Sequence, residues 1–337
     1  MDLRIRRVAA GKMRRYTHFK FIDYLQHFDV IIQNIMDLFK TMGGTIQSFF
    51  RLIFNRPDVI FLKGGYVCLP VGVAARVLRI PYVIHDSDAA PGLANRILAK
   101  HATKIATGMP LEYYSYPEDK AEWTGIPINE EFKPASEAKQ KALKKELGFK
   151  PDELLLVVTG GSLGAEHINI AIREILPSLL KKTSVMLVAG RERYNEMIDL
   201  KDYETWEEGE LKSNFRMVEF SSEMYKLFGA ADIVVSRAGA STMTELSAMA
   251  KAVIMVPNEK LPGYHQVKNA KAYEHAGAAV VVDDEEMHQN PEVLLTEIKK
   301  LIASPERREE LAANLRRFTR DDAAESLAKA VVSIAKE

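Results

Sequence analysis

The chain has 337 residues, 47% of them apolar, which is enough for two hydrophobic cores, and its formal net charge at pH 7 is zero. This length predicts two domains, and the neutral balance gives no sign of a nucleic-acid partner. Cys68 is the only cysteine, so no disulfide can form within the chain, as is usual in a reducing compartment. No apolar run is long enough to span a membrane and the charged N-terminus is unlike a signal peptide, so we predict a cytoplasmic protein.

The first 56 residues depart from this neutral balance. They contain ten Lys and Arg residues against four Asp residues, a net charge of +6, together with nine aromatic residues. A basic, aromatic-rich segment can lie on an anionic membrane surface. It can equally be a solvated basic face above aromatic residues of a core, and the sequence leaves both interpretations open.

From residue 57 onwards, short apolar runs alternate with segments of helical periodicity, which predicts βαβ units with parallel sheets. The predicted strands cover residues 58–63, 81–85, 103–107, 121–124, 154–159, 184–189, 215–218, 232–236, 252–256 and 278–282. The predicted helices cover residues 70–78, 93–100, 136–147, 165–181, 237–250, 266–276, 291–303, 305–318 and 322–336.

A charged stretch rich in Ala and Lys, residues 134–150, interrupts this alternation and marks a domain boundary. We therefore predict a first domain over 1–148, a second domain over 149–320, and a C-terminal helix within 321–337 that packs back on the first domain.

The first motif that points to chemistry is GGSLGA, residues 160–165, which follows a predicted strand and opens a predicted helix. Its glycines allow backbone N–H groups to approach an anion, and the helix N-terminus adds partial positive charge. Ser162 adds a hydroxyl donor. A turn of this kind also serves plain chain reversal, so the motif favours a phosphate site without establishing it.

The second motif is SRAGASTMTE, residues 236–245, at another strand-to-helix junction. Gly239 and the amides after it can hold a diphosphate, with the hydroxyls of Ser241 and Thr242 as donors. Glu245 lies about one helical turn beyond Ser241 and suits hydrogen bonds to ribose hydroxyls. The alternative is a capping-box glutamate with ordinary N-cap residues, but two phosphate-type turns in one domain favour the functional interpretation.

A third motif, GYHQVKNA, spans residues 263–270 at the start of a predicted helix. Gln266 and Asn269 are three residues apart and share one face of that helix. Their neutral amides suit sugar hydroxyls, which both donate and accept hydrogen bonds. Because polar first turns are common in helices, this motif alone is a weak signal.

The order of these motifs, with Phe220 and Met224 between the first two, resembles the MurG family of peptidoglycan N-acetylglucosaminyltransferases in glycosyltransferase family 28. The upstream segments KGGYVCLP (63–70), PYVIHD (81–86), GLAN (92–95) and TGIP (124–127) are similar to that family as well. The resemblance covers most of residues 57–335. It implies the GT-B fold, in which two Rossmann-like, doubly wound α/β domains face each other across a cleft.

The resemblance also implies an activity. Such enzymes transfer N-acetylglucosamine from UDP-N-acetylglucosamine to undecaprenyl-diphosphate-N-acetylmuramoyl-pentapeptide, which turns lipid I into lipid II during cell-wall synthesis. They act at the inner face of the cytoplasmic membrane as peripheral proteins, and they use no metal and no other cofactor.

Site residues follow from the resemblance position by position. Main-chain groups near Phe220 and Ser221 read the uracil, Met224 packs nearby, and Glu245 holds the ribose. The sugar is addressed by His265, Gln266 and Asn269. The other donor-site residues, around the diphosphate, are Gly161, Ser162, Gly164, Arg237, Gly239, Ala240, Ser241 and Thr242. The acceptor side is lined by Gly64, Gly65, Tyr66 and Asn95.

Some positions depart from the family pattern. The usual arginine after G-x-P is Asn129, and the family's H-E-Q-N is His85-Asp86-Ser87-Asp88. The family's first βα unit, with its G-G-T-G-G-H loop, is not found in these 337 residues. We therefore expect an N-terminal domain that is incomplete relative to the family. A mis-assigned start, a separate chain and an altered acceptor site are the open explanations.

We expect an inverting displacement, in which the acceptor's 4-hydroxyl attacks C1 of the sugar and UDP leaves. Helix N-termini stabilise the leaving diphosphate without a metal, and a base takes the hydroxyl proton. Asp86 is the predicted base, and a purely structural cap or turn is its alternative role. Three other functions remain open: another UDP-sugar lipid transferase, a UDP-sugar 2-epimerase, and a nucleotide-sugar-binding protein without turnover. Acceptor identity and oligomeric state are not predicted.

Overall fold

The computed structural model describes residues 5–12, 28–161, 165–198 and 214–335. The chain forms two compact units. The first contains the residues up to Pro127 together with 260–265 and the chain from Asp322 onward, and the second contains residues 128–259 and 266–321. Residues 128–148, which the sequence-based boundary assigns to the first domain, therefore pack with the second unit.

The first unit is built on a parallel sheet of four strands in the order β1-β2-β3-β4, counted over the described residues. The unit also includes the last helix, α12 (Ala323–Ala335). In chain order, its other elements are α1 (Phe28–Phe54), β1 (Ile60–Leu62), α2 (Cys68–Val77), β2 (Tyr82–Asp86), α3 (Leu93–Leu98), β3 (Lys104–Thr107) and β4 (Ala121–Trp123).

Successive residues of a strand point to opposite sides of the sheet, and both faces of this sheet are covered by helices. On one face, Ile84 and Ile105 pack in a cluster with Ala75 of α2 and Leu98 of α3. On the other face, Val83 and Ala106 pack against Ile334, Leu327 and Val331 of α12.

The second unit contains a parallel sheet of six strands in the order β10-β9-β8-β5-β6-β7. Its strands are β5 (Leu155–Thr159), β6 (Ser184–Val188), β7 (Phe215–Val218), β8 (Ile233–Ser236), β9 (Ala252–Met255) and β10 (Val280–Val281). The helices from this part of the chain are α4 (Glu137–Glu146), α5 (Glu166–Leu180), α6 (Met224–Ala230), α7 (Ala240–Ala248), α8 (His265–His275), α9 (Asp284–Gln289), α10 (Glu292–Ala303) and α11 (Pro305–Arg316).

Each predicted strand is present within one or two residues of its predicted limits. Three helices were not predicted: α1, α6 and α9. The helix α9 has only six residues, which is too short to show a helical period. Its N-cap residue is Asp283, whose side chain accepts hydrogen bonds from the backbone N–H groups of Glu285 and Glu286. The helix α1 has apolar residues at helical spacing and exposes most of them. The sequence-based assignment of elements began at residue 57 and missed this helix.

Asp232 joins α4 to the second sheet. Its carboxylate accepts hydrogen bonds from the ammonium of Lys144 and the backbone N–H of Leu155, both at 2.7 Å, and from the amide of Gln140 at 2.9 Å. Lys144 is buried, and burial lowers the pKa of the neighbouring Lys251 to about 8, an effect that Asp232 opposes. Asp232 is therefore the negative charge that balances buried ammonium groups in this region.

We expect Asp232→Ala to lower the free energy of unfolding by about 3–5 kcal/mol, because it leaves Lys144 buried and unpaired. Urea denaturation measures the effect. Asp152→Ala is the matched control, since its pair with Lys141 at 2.9 Å is solvent-exposed and should contribute about 1 kcal/mol or less. Equal losses of unfolding free energy in the two variants would contradict the role of Asp232 as the partner of the buried Lys144.

Candidate functional site

The strand order of the second sheet reverses between β5 and β8. Chain connections leave β5 towards β6 and β7 on one side, and leave β8 towards β9 and β10 on the other. In an open parallel sheet, the carboxyl ends of the strands at such a switch point enclose a crevice that binds ligands. Gly161 follows β5 and Gly239 follows β8, so both predicted phosphate turns lie at this crevice.

The turn after β8 presents the N-terminus of α7. Gly239 is the N-cap residue, and among the described residues no side chain caps the helix. The N–H groups of the first turn, from Ala240 to Thr242, are therefore available to a ligand, and the helix dipole favours an anion there. Ser241 is exposed and Thr242 half-buried, which leaves their hydroxyls close to the same position.

The turn after β5 is fixed by Gly161. Its φ of +81° is one that a residue with a Cβ rarely adopts, and its N–H donates to the hydroxyl of Thr159 at 3.2 Å. Ser162 and Gly164, which are also predicted for this site, lie outside the described residues, and their predicted roles stay predictions.

A cavity of about 300 Å³ opens beside these two turns. Its apolar wall contains Phe132, Phe220, Met224 and Phe228, and the guanidinium of Arg191 lies 4.3 Å from the ring centroid of Phe220. Its polar wall contains the residues Thr159, Ser221, Ser222, Thr242 and Glu245. A flat aromatic base with polar edges fits such a cavity.

Glu245 is the ionisable group of this cavity. Burial alone raises the pKa of its carboxyl to about 7, and no side-chain hydrogen bond or ion pair of Glu245 is found in the described part of the chain. A carboxyl group that is partly desolvated and faces a cavity can accept hydrogen bonds from ligand hydroxyls. The position of Glu245 is compatible with its predicted role as a ribose ligand, and that role stays a prediction.

Arg237 and Asn269 stabilise the loop around Gly239. The guanidinium of Arg237 binds the carboxylate of Asp284 at 2.6 Å and the backbone carbonyl of Val256 at 3.1 Å. Asn269 is buried, and its amide donates to the carbonyl of Ala238 at 3.0 Å. These side chains join the loops after β8 and β9 to α8 and α9. The structure thus gives them a supporting role for the loop, whereas the sequence-based prediction places both at the ligand.

Gln266 also serves a loop, because its amide oxygen accepts from the backbone N–H of Asn258 at 2.9 Å. The –NH₂ group of the same side chain remains the part that can address a sugar.

The first unit has its own cavity, of about 410 Å³, at the carboxyl ends of β1 and β2. The turn Gly64-Gly65 has φ angles of +93° and +82°, and a Cβ at Gly64 would lie 3.1 Å from the amide of Asn95. Both positions therefore favour glycine for the backbone angle, and Gly64 also for the limited space beside Asn95. The predicted residues Gly64, Gly65, Tyr66, Asp86 and Asn95 all line this cavity, together with Lys12, Lys63, Asp88 and His265.

Asp86 is buried at the end of β2. One carboxylate oxygen accepts a 2.6 Å hydrogen bond from the amide of Asn95, and the other accepts a hydrogen bond from the hydroxyl of Tyr116. The backbone N–H of Gly92 is a further donor, and burial raises the pKa of the carboxyl above its ordinary value. This set of donors matches the structural alternative for Asp86, while its role as a base stays a prediction.

Two residues at these cavities carried no signal in the sequence analysis. Phe132 lines the cavity of the second unit, and Tyr116 donates a hydrogen bond to Asp86. Each lies far along the chain from the motif that it faces, so only the fold brings it there. In the residues that the structure describes, no group of three or more His, Cys, Asp or Glu side chains is placed to hold a metal ion.

The two parallel sheets and the glycine turns at the switch point define a doubly wound α/β protein, a class that binds ligands at that crevice. The model of the glycosyltransferase family 28 C-terminal domain matches residues 155–327, and that of the family's N-terminal domain matches residues 4–107. The chain belongs to glycosyltransferase family 28, and it is a glycosyltransferase, as predicted.

Two proteins illustrate the relationship. A UDP-N-acetylglucosamine–N-acetylmuramyl-(pentapeptide) pyrophosphoryl-undecaprenol N-acetylglucosamine transferase of Clostridium kluyveri is 35% identical over 295 residues, which are 87% of this chain and 76% of that protein. The crystal structure of Acinetobacter baumannii MurG matches 88% of this chain and 79% of that chain with a TM-score of 0.70 and 24% identity. The first confirms the predicted family, and the second confirms the predicted fold class.

A more distant likeness is to the UDP-GlcNAc 2-epimerase of Neisseria meningitidis bound to UDP-GlcNAc. It has a TM-score of 0.61 at 16% identity and covers 87% of this chain and 81% of that chain. This likeness concerns the fold alone.

The raised pKa of Glu245 predicts a pH-dependent stability. Between the ordinary carboxyl pKa and about 7, the folded state binds more protons than the unfolded state, so ionisation destabilises the fold as pH rises through this window. Glu245→Gln should therefore melt like the wild type near pH 4.5 and at a higher temperature near pH 8. Thermal melts at the two pH values check this, with the exposed Glu174→Gln as control. A lower melting temperature for Glu245→Gln at pH 8 would show that the carboxylate stabilises the fold.

Proposed function

We propose that this chain transfers N-acetylglucosamine from UDP-N-acetylglucosamine to undecaprenyl-diphosphate-N-acetylmuramoyl-pentapeptide, the step from lipid I to lipid II in peptidoglycan synthesis. The observation that carries the proposal is the pair of phosphate-type turns at the β5/β8 switch point, beside a cavity that holds Phe220, Met224 and Glu245. The 35% identity with the Clostridium kluyveri transferase supports the choice of donor and acceptor.

The donor nucleotide is assigned to the second unit. Its base occupies the cavity lined by Phe132, Phe220 and Phe228, where apolar rings exclude water and Ser221 offers a polar edge. The ribose hydroxyls donate to Glu245. The diphosphate lies against the open N–H groups of α7 and against the Gly161 turn.

Catalysis on this site is electrostatic. The C1–O bond of the sugar breaks as the acceptor's 4-hydroxyl attacks from the opposite face, and the leaving UDP gains negative charge. The fixed N–H groups of α7 stabilise that charge without reorganisation at the moment of reaction. The donor diphosphate therefore needs no divalent metal in this proposal.

The acceptor is assigned to the cavity of the first unit. The side chains of Lys12 and Lys63 bring positive charge to its rim, and the Gly64-Gly65 turn allows a close approach to backbone groups. Both features suit the diphosphate of a lipid-linked sugar.

Docking on the inner face of the cytoplasmic membrane belongs to the same proposal. Among the described residues, no helix combines the length and apolar character that crossing a membrane requires. The surface of α1 is nevertheless apolar. Phe39 is 65% exposed, Ile46 58% and Phe54 80%. An exposed apolar helix face within a segment of net charge +6 suits an anionic lipid surface. Tyr16, Phe19, Phe21 and Tyr24, which share that segment, lie outside the described residues.

The donor site predicts nucleotide selectivity. The chain should bind UDP more tightly than ADP or GDP, and Glu245→Gln should weaken UDP binding by about 1–3 kcal/mol, the scale of a lost charge-assisted hydrogen bond. Calorimetric titration at pH 8 measures both, with Glu174→Gln as control. Equal affinities for the three nucleotides would contradict the uridine assignment.

The same preparation should transfer radiolabelled N-acetylglucosamine to a lipid I analogue, with the rate unchanged by EDTA. Activity lost in EDTA and restored by magnesium would contradict the metal-free mechanism. Epimerisation of UDP-N-acetylglucosamine without transfer would replace the proposed function.

The membrane proposal predicts salt-sensitive flotation. The full chain should float with phosphatidylglycerol-rich liposomes at low salt, and binding should fall steeply as the salt concentration rises. A triple variant Met42→Gln, Ile46→Gln, Phe50→Gln should bind weakly, because it removes three exposed apolar side chains of α1. Val332→Gln, an exposed apolar position on α12, is the matched control. Flotation that is independent of salt and of lipid charge would contradict the docking mode.

A further inference from the structure

A carboxylate and an imidazole that are far apart in the sequence meet in the cavity of the first unit. The Nδ1 atom of His265 lies 3.7 Å from Oδ2 of Asp88, and the two side chains are 32% and 36% exposed respectively. Both residues line the same cavity as the Gly64-Gly65 turn and Tyr66. We propose that His265 is the general base of the transfer reaction and that Asp88 orients its imidazole.

The loop before α8 holds the imidazole in this position. Residues Pro262–Tyr264 form a kinked turn that leads directly into His265, with φ angles of +80° at Gly263 and +52° at Tyr264. A Cβ at Gly263 would lie 2.8 Å from Nε2 of His265. A side chain at that position would displace the ring, so glycine serves both the backbone angle and the space for the imidazole.

The two nitrogens of His265 have different surroundings. The Nδ1 atom is buried and has no hydrogen-bond partner within the described residues, and the carboxylate of Asp88 faces it at ion-pair distance. A carboxylate on this side favours the tautomer with the proton on Nδ1, which leaves the lone pair of Nε2 to accept a proton.

Asp88 suits the orienting role better than Asp86 does. The loop that carries Asp88 is fixed by its backbone carbonyl, which accepts a 2.9 Å hydrogen bond from the hydroxyl of Tyr114, so the carboxylate is held at the cavity. Asp86, in contrast, is buried and accepts hydrogen bonds from Asn95 and Tyr116.

The proton and electron balance of the step is complete. The oxygen of the acceptor's 4-hydroxyl forms a bond to C1 of the donor sugar, and the bond from C1 to the diphosphate oxygen breaks with its electron pair on UDP. The hydroxyl proton moves to Nε2 of His265. The imidazolium that results is stabilised by the carboxylate of Asp88.

This inference rests on the proposed function, and transfer to a lipid I analogue by the full chain tests both. In His265→Ala we expect kcat to fall by about 10²–10⁴-fold, the usual contribution of a general base, with the affinity for UDP unchanged. Added imidazole should restore part of the rate.

Asp88→Asn should also lower kcat, and Asp88→Glu should recover part of the loss. His275→Ala, an exposed histidine at the end of the same helix, is the matched control and should leave kcat unchanged. Thermal melts identify any variant that fails to fold, and imidazole rescue of His265→Ala then provides the decisive reading.

Four outcomes would overturn the proposal. An undiminished kcat in His265→Ala excludes His265 as the general base, while activity of the wild-type chain still supports the proposed transferase function. A raised donor KM at constant kcat assigns His265 to the sugar instead. A severe loss in Asp88→Asn with a neutral effect in His265→Ala makes Asp88 the base. No transfer by the wild-type chain removes the proposed function and this inference together.

Discussion

The reversal of strand order between β5 and β8 is the constraint on which the proposed donor site depends. Parallel strands bring all their carboxyl ends to one edge of the sheet, and a reversal at one pair of strands sends the following helices to opposite faces. Only between those two strands does the edge stay open. The chain places a glycine turn at each side of this opening, Gly161 and Gly239, and the N-terminus of α7 directly behind the second. The electrostatics of the site are thus built from backbone groups, and side chains mainly support them.

That support consists of buried polar groups with satisfied partners. Arg237, Asp284 and Asn269 tie together loops that would otherwise be free to move relative to one another. Glu245 is the exception, because its carboxyl is partly desolvated without a compensating donor in the described residues. A partly desolvated carboxyl without a donor lowers the stability of the fold, but it can still bind a ligand. Binding sites commonly contain such groups, whereas the rest of a protein does not.

Much of this fold could be predicted from the sequence, because each buried strand is a short apolar run bounded by turn residues, as at 155–159 and 233–236. The glycine turns could be predicted for the same local reason. Three kinds of feature could not. The helix α1 has apolar residues at helical spacing, but the spacing alone does not show that this apolar face is exposed. In the sequence, Asp86 is a candidate base. Only the structure shows that its two carboxylate oxygens accept hydrogen bonds from the amide of Asn95 and the hydroxyl of Tyr116. The meeting of Asp88 with His265 depends on tertiary structure alone.

The position of α12 has a consequence for the order in which the molecule is made. Val83 and Ala106 lie on a sheet face that is covered by residues from the end of the chain. During synthesis, that face stays open to water while the ribosome adds the whole of the second unit. The second unit lies within 128–321 and contains all six strands of its sheet, so it can close first. The first unit begins the chain but becomes complete last, and in the interval its bare apolar face is a surface that a nascent-chain chaperone would recognise.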